Sequence, residues 1–246
     1  GGMEEGLNAT SQILKVRGRV IPSTLENIQL QAEMSDGTIV SGESKIPEAR
    51  KRIRKMLMKP ADAPASKGAV EAILKSDVLI FGPGSLYTSV IPNLLVEEIR
   101  EAILQSDAVK IYVCNVMTQP GETDGYGAFE HVRALVDHMG KQFLDYVIVN
   151  DQKITTEQLK QYYAEGSMPV TPDVEKIRKL GITVVPASLI SKDDLVRHEP
   201  RKLARALIML IYRLRLFGKG VQFFDYIFMR HGLNTMDKDV RGNFKK

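Results

Sequence analysis

Cysteine and long apolar runs are the two features that this sequence most clearly lacks. The chain has a single cysteine, Cys114, so no internal disulfide can form, and we expect a reducing cytoplasm as its compartment. No run approaches the roughly 20 consecutive apolar residues of a transmembrane helix, and no signal-peptide pattern is visible. Stable membrane insertion is therefore not expected.

A strong excess of one charge sign is also lacking, because the formal net charge is only +4. With 43% hydrophobic and 26% charged residues over 246 positions, the composition is that of an ordinary globular protein. The mild positive excess suits an anionic ligand but is far below the charge density of a nucleic-acid-binding protein. Nucleic acid is therefore excluded as the expected partner.

The first part of the chain predicts a helix followed by a hairpin. Leu7, Ile13 and Leu14 recur at near-helical spacing within residues 3–16. Two strand-like runs, IQLQAEMS and TIVSGES, are then joined by Asp36-Gly37, which is a strong short hairpin signal. For the basic residues 45–58 we predict neither a helix nor a strand.

After Ser66 the sequence alternates regularly between helices and apolar strands, which predicts a parallel sheet. Because the strands are continuous apolar runs, we expect both faces of this sheet to be buried. The predicted fold class is α/β, Rossmann-like and doubly wound, with a mostly parallel sheet and the hairpin as an antiparallel addition. The predicted helices are KGAVEAILKSD, Asn93–Gln105, Phe129–Met139, TEQLKQYYAEG and DVEKIRKLG, and the strands are VLIFG, VKIYVCNV, DYVIVN and ITVVPASLI.

Pro200–Phe217 forms a basic amphipathic pattern that predicts a helix too short in its apolar part to span a bilayer. Packing on the sheet or at a subunit interface of a homo-oligomer is one interpretation, and attachment to a membrane surface is the other. We expect the domain to occupy residues 1–217 and a basic extension to occupy residues 218–246.

Ligands of open parallel sheets bind beyond the carboxyl ends of the strands, and the loop GPGS follows the first apolar strand there. Gly82 and Gly84 allow a tight turn, Ser85 and Thr88 supply hydroxyls, and Ser89 or Thr88 could cap the next helix. Free amides at that helix start would face an anion. A plain strand-to-helix turn remains an equal alternative.

The next strand is followed by the long polar loop NVMTQPGETDGYG. Glu122 and Asp124 could hold Mg²⁺, which favours one or two carboxylates together with phosphate oxygens; capping of the loop is the alternative. No other cofactor is indicated. The side chains that could read hydroxyls or a base edge are Asn115, Thr118, Gln119 and Thr123.

A diphosphate site also needs a cation, because a helix terminus contributes only about 0.3–1 kcal/mol toward an anion, against about 1.5–3 kcal/mol for a charge-assisted hydrogen bond. Arg197, in VRHEP after the last rim loop, is the best placed. An ion pair with Glu199 or Asp194 is the competing interpretation.

No nucleophile or acid–base pair stands out, so no catalytic residue is assigned. The four histidines lack metal-ligand spacing, and His131 and His138, one heptad apart, suggest a solvated helix face. Cys114 lies in an apolar strand and is expected to be an inert core thiol.

Several longer motifs occur along the chain: VRGRVIPST, the hairpin ending in GES and IP, GPGSLYTSVIPNLLV, YVCNVMTQPGETDGY, YYAEGSMPV and ASLISKDDLVRHEPRKLA. Together they resemble the bacterial gluconeogenesis factors, which are related to the 2-phospho-L-lactate transferases of deazaflavin-cofactor synthesis. The resemblance runs from about Met3 to Ala206. The family opens with GGGTG-type and DDGGSSG-type segments that are absent here, so we expect the chain to begin partway into the fold.

The resemblance implies a cytoplasmic regulator that binds UDP-sugars such as UDP-N-acetylglucosamine and acts in gluconeogenic growth, cell shape and envelope synthesis. A transferase using a nucleotide-activated donor is the alternative. Tyr162 and Arg197 match positions where the family contacts the sugar nucleotide. The full expected ligand-binding set is Gly82, Gly84, Ser85, Tyr87, Thr88, Asn115, Thr118, Gln119, Thr123, Tyr162 and Arg197.

Overall fold

Two separate sheets organise the chain in the computed structural model, which describes residues 18–191 and 196–217. One is a three-stranded antiparallel sheet and the other a four-stranded parallel sheet. The helix predicted for residues 3–16 and the extension at residues 218–246 lie outside the described residues.

The antiparallel sheet contains the predicted hairpin, formed by β1 (Gln29–Met34) and β2 (Ile39–Ser41). At its turn the Asp36 carboxylate accepts a hydrogen bond from the Thr38 amide at 3.0 Å. A third strand, β3 (Ile53–Lys59), pairs with the other side of β1, so the strand order is β2-β1-β3. The hairpin is therefore part of a sheet of its own rather than an addition to the parallel sheet.

The parallel sheet has the sequential order β4-β5-β6-β7, and the predicted alternation with helices is confirmed. The elements outside the antiparallel sheet are α1 (Lys45–Glu48), α2 (Lys67–Leu74), β4 (Val78–Phe81), a π-helical turn (Leu86–Val90), α3 (Ile91–Leu95), α4 (Glu97–Gln105), β5 (Val109–Val113), α5 (Ala128–Met139), β6 (Tyr146–Asn150), α6 (Thr156–Ala164), α7 (Val174–Arg178), β7 (Thr183–Ala187) and α8 (Pro200–Phe217).

Both faces of the parallel sheet are buried along β5 and β6, as the continuous apolar strands predict, whereas the edge strand β4 is half-buried and its Ile80 is 43% exposed. Tyr112 and Val147 face the main core, which also includes the inner side of the antiparallel sheet. Their neighbours Ile111 and Ile148 point to the opposite face and pack against α8 through residues such as Leu210. The prediction that Pro200–Phe217 packs as a helix on the sheet is thus confirmed.

One predicted helix differs from the structure. The helix expected over Asn93–Gln105 is preceded by the π-helical turn and is interrupted at Val96, whose ψ of 114° is extended. α5 ends where predicted, since Gly140 takes the left-handed φ of 78° that stops a helix. Within the described residues, no helix is both long and apolar enough to cross a membrane.

Candidate functional site

The loops that follow the parallel strands meet at one edge of the sheet, because the strands run in one direction. Residues 82–85 follow β4, residues 114–127 follow β5, residues 151–155 follow β6, and residues 188–191 and 196–199 follow β7. We refer to these four segments as the carboxyl rim. Every ligand-binding residue predicted above lies in or next to it.

Hydrogen bonds join the first two rim loops through Gln119. Its side-chain amide nitrogen donates to the Ser85 hydroxyl at 2.7 Å, and its side-chain carbonyl oxygen accepts from the side-chain amide nitrogen of Asn115 at 3.4 Å. The Gln119 backbone amide donates to the Thr123 hydroxyl at 2.8 Å, and this hydroxyl is fully buried. Four predicted ligand-binding residues therefore form one connected cluster.

The glycines of the GPGS loop are needed because neighbouring atoms of the protein itself leave little room for a Cβ. Gly82 has a φ of 82°, and a Cβ at this position would lie 3.1 Å from the Val113 carbonyl oxygen. A Cβ on Gly84 would lie 3.3 Å from the Ser89 Cβ. Their small size lets the loop pack on the end of β5, which holds Ser85 beside Gln119.

At the helix start, where an anion site is predicted, the structure places the carboxyl group of Glu122. The Thr88 hydroxyl donates to one of its oxygens at 3.0 Å, while the other oxygen is buried and has no partner in the described part of the chain. Burial raises the pKa of Glu122, although the Thr88 hydroxyl and the Tyr87 amide favour its charged form. In addition, the following helical segment, Leu86–Val90, is a short π-helical turn. An anion at this point would meet a carboxyl group.

Asp124 caps its own loop, in agreement with the alternative to magnesium binding. Its carboxylate accepts from the Gly121 amide at 2.7 Å, and its side chain is exposed. Across residues 18–191 and 196–217, no three His, Cys, Asp or Glu side chains are grouped so that they could hold a metal ion. Glu122 alone would bring one carboxylate to such an ion.

Two of the predicted ligand-binding residues are held inside the protein. The buried Thr118 hydroxyl accepts from the Met168 amide at 2.8 Å, which ties the second rim loop to the segment after α6. The Tyr87 hydroxyl contacts that of Tyr126 at 2.8 Å, and burial raises the pKa of Tyr87 far above its ordinary value. Both side chains therefore support the rim from within.

Tyr162 and Arg197 stand together on the far side of the rim. The Tyr162 hydroxyl accepts from the Val196 amide at 2.8 Å, so it directly supports the residue before Arg197. Arg197 is exposed, and among the described residues none forms a hydrogen bond or ion pair with its guanidinium. The alternative pair with Glu199 is absent, because its carboxylate caps α8 by accepting from the amides of residues 201 and 202. The other alternative partner, Asp194, lies outside the described residues.

A histidine that the sequence did not single out connects this far side to the first cluster. The His198 ring nitrogen Nε2 lies 3.1 Å from the Cys114 carbonyl oxygen and donates to it. Burial lowers the pKa of His198, so the neutral ring is favoured. Because Cys114 precedes Asn115 and His198 follows Arg197, the bond brings both halves of the predicted site together. Its only sequence signal was its place beside Arg197.

The prediction of a solvated histidine face on α5 is wrong. His131 is fully buried, with Nδ1 2.8 Å from the Gly127 carbonyl oxygen. His138 accepts at Nε2 from the Met56 amide of β3 at 2.9 Å, which fastens the antiparallel sheet to α5. Cys114 is buried as predicted, and burial raises the pKa of its thiol to about 12.

Among the cavities lined by described residues, one at the amino ends of β4 and β5 is larger than one that reaches the rim. A cavity of about 520 Å³ opens at the amino ends of β4 and β5, beside Asp77 and Val109. A cavity of about 380 Å³ follows the outer edge of β4 and reaches the rim at Gly82 and Pro83. We give more weight to the second, because topology and the polar cluster both point to the carboxyl end.

Comparisons with known proteins agree with this arrangement. A family model described as 2-phospho-L-lactate transferase CofD matches residues 1–190. The gluconeogenesis factor of Halalkalibacterium halodurans is 44% identical over 209 residues, which cover 85% of this chain and 65% of that protein. The gluconeogenesis factor of Bacillus subtilis (strain 168) is 41% identical over 212 residues, covering 86% of this chain and 67% of that protein.

A solved structure has the same fold. A crystal structure of a member of the UPF0052 family from Bacillus halodurans, at 2.60 Å resolution, superposes with a TM-score of 0.80 and 44% identity. The match covers 83% of this chain and 66% of that one. The chain thus spans about two thirds of the length of these relatives.

Proposed function

Because the chain belongs to the family of 2-phospho-L-lactate transferase CofD, we propose that it binds a UDP-sugar, such as UDP-N-acetylglucosamine, at the carboxyl rim. In this proposal it acts as a regulator with roles in gluconeogenic growth, cell shape and envelope synthesis; the name gluconeogenesis factor, which similar proteins carry, supports the first of these roles. The chain spans 65% of the length of the first of these relatives. The roles are therefore proposed from proteins that are longer than this chain.

One observation carries the proposal: the side-chain carbonyl oxygen of Asn115 is buried at the rim and has no hydrogen-bond partner within residues 18–191 and 196–217. A buried polar atom left without a hydrogen bond costs about 1–3 kcal/mol, so such atoms normally have a ligand or water as partner. A nucleobase N–H or a sugar hydroxyl would supply the missing donor. The neighbouring pair of Ser85 and Gln119 offers further donors and acceptors at 2.7 Å from each other.

The charges of the rim favour one orientation of this ligand. The carboxyl of Glu122 disfavours phosphate beside the GPGS loop, whereas on the other side the guanidinium of Arg197 is exposed and is not paired with any described residue. Arginine matches phosphate oxygens in a two-pronged geometry. We therefore place the diphosphate near Arg197 and a hydroxyl-bearing or base end near Asn115 and Ser85. The nucleotide-sugar-binding unit would be the domain expected over residues 1–217.

A transferase is the second candidate, and Glu122 is the observation that favours it. A buried carboxyl whose pKa is raised is typical of groups that hold or transfer a proton in active sites. Donor chemistry of the kind performed by the named family would also call for a metal ion. Glu122 would then be its one buried carboxyl ligand.

Calorimetry separates these candidates. UDP-N-acetylglucosamine is titrated into the chain with and without Mg²⁺, alongside UDP-glucose and UMP. We expect saturable heat from the UDP-sugar without added Mg²⁺, and a weaker response to UMP. If no UDP-sugar gives heat, the binding proposal is wrong. Turnover of a labelled nucleotide donor would replace the purely regulatory role with the transferase.

A further inference from the structure

The outer face of α8 carries an unusual combination of exposed apolar and basic side chains. Ile208, Tyr212 and Leu216 are 64%, 60% and 57% exposed, and they are four residues apart. This spacing aligns them in one stripe along the helix. The opposite side of α8, which includes Leu203, Leu210 and Leu214, packs on the sheet, so the stripe faces outward with no described partner.

Positive charge surrounds this stripe. α8 contains five basic residues and no acidic one, more positive charge than the net +4 of the whole chain. At 100° per residue, Arg201 and Arg215 lie within about 20° of Ile208 around the helix axis. Both arginines are exposed, one near each end of the stripe. We call this surface, formed by Arg201, Ile208, Tyr212, Arg215 and Leu216, the α8 outer face.

We propose that the α8 outer face binds an anionic lipid bilayer, with the helix lying parallel to the membrane plane. Apolar side chains that enter the acyl boundary, a tyrosine at headgroup level and flanking arginines are the features of an interfacial amphipathic helix. The helix does not span the bilayer, in keeping with the absence of a spanning helix among the described residues.

Charge decides between the bilayer and a second copy of the chain. A two-fold interface would place one α8 outer face against another. It would bring the four guanidinium groups of Arg201 and Arg215 from two copies together with no carboxylate of α8 to pair them, although Asp77 lies 3.8 Å from each Arg215. Anionic headgroups instead attract each nearby Lys or Arg by about a five-fold gain in affinity, the equivalent of about 1 kcal/mol. The bilayer is therefore the better match.

The surface also lies close to the proposed ligand site. α8 begins at Pro200, two residues after His198, which bonds the Cys114 carbonyl oxygen of the rim at 3.1 Å. Arg197 is thus four residues from the first arginine of the α8 outer face. A protein docked through this face would present the carboxyl rim next to the bilayer surface.

Vesicle co-sedimentation of the full chain tests the proposal. Vesicles of equal parts phosphatidylglycerol and phosphatidylcholine should bind the protein, and pure phosphatidylcholine vesicles should not. Replacing Ile208 and Tyr212 together with Ser, or Arg201 and Arg215 together with Gln, should weaken binding about tenfold or more. Because all four side chains are exposed, circular dichroism should show an unchanged fold.

Matched substitutions elsewhere supply the control. Ile39 and Leu74 are 49% and 47% exposed on other elements, and their double replacement by Ser should leave vesicle binding unchanged. Failure to bind anionic vesicles, or equal loss in the control, would overturn the proposal. So would light scattering that shows a dimer broken by the Ile208→Ser, Tyr212→Ser pair, since the face would then join two copies.

Discussion

Replacing Gly121 with Ala should destabilise the protein far more than the same change four residues later. Gly121 lies in the second rim loop with a φ of 81°, and a Cβ there would be 2.0 Å from the Pro47 carbonyl oxygen. Real Cβ atoms do not approach backbone this closely, so the loop or α1 must move. Gly125, in the same loop, has a similar φ of 71° but no atom within 4 Å of a Cβ. It is therefore a matched control.

The expected magnitudes follow from these two geometries. A left-handed backbone costs an L-residue roughly 1–2 kcal/mol, and both variants bear this cost. The collision at Gly121 adds roughly 1–3 kcal/mol, as is typical when atoms are forced into a packed site. We therefore expect a total loss of about 2–5 kcal/mol for Gly121→Ala and about 1–2 kcal/mol for Gly125→Ala.

Urea denaturation monitored by circular dichroism measures both free energies of unfolding under identical conditions. The comparison isolates the contact with Pro47, because the backbone cost is common to the two variants. If Gly121→Ala is no more destabilising than Gly125→Ala, the second rim loop does not press on α1 as described.

Three further predictions concern individual charged groups. Arg197→Ala should weaken UDP-N-acetylglucosamine binding at least tenfold by calorimetry, because a charge-assisted hydrogen bond of about 1.5–3 kcal/mol is lost. The nearby Arg201→Ala variant should change this affinity little. Equal effects of the two substitutions would contradict the role assigned to Arg197. Glu122→Gln should raise the free energy of unfolding at pH 7, because burial raises the Glu122 pKa, and this gain should disappear as the pH falls below the ordinary Glu value of about 4.3. Burial lowers the pKa of His138, so its contribution to stability should be lost as the pH falls from about 6.5. The His138→Gln variant, which can still accept from Met56, should lose less in pH-dependent urea melts.

The parallel sheet could be predicted from sequence because its strands have a simple pattern. β5 is buried at all five positions, so it reads as an apolar run. β3 was missed for the opposite reason: only Ile53, Met56 and Met58 are buried, and their spacing is not a regular alternation. A register shift between Glu33 and Met34 of β1 accounts for this, since a bulge breaks the period of two.

The adjacency of the rim loops could be predicted from the sequence, but the contacts within them could not. Topology alone places the loops after β4 and β5 side by side, which brought Ser85 and Gln119 together as expected. The contact of Glu122 with the π-helical turn at Leu86–Val90 joins residues that are far apart in the sequence, and no sequence pattern indicates it. The environment of His138 could not be predicted for the same reason, because the amide that donates to its ring belongs to Met56, 82 residues away in the sequence.

Hydrogen–deuterium exchange with and without UDP-N-acetylglucosamine tests the location of the site most directly. We expect the ligand to slow exchange in peptides covering residues 114–127 and 196–199 of the carboxyl rim, and in residues 82–90, which contain the GPGS loop and the π-helical turn after it. Peptides at the amino ends of β4 and β5, where the cavity of about 520 Å³ opens, should be unaffected. Protection at that opposite end, with none at the rim, would contradict the account.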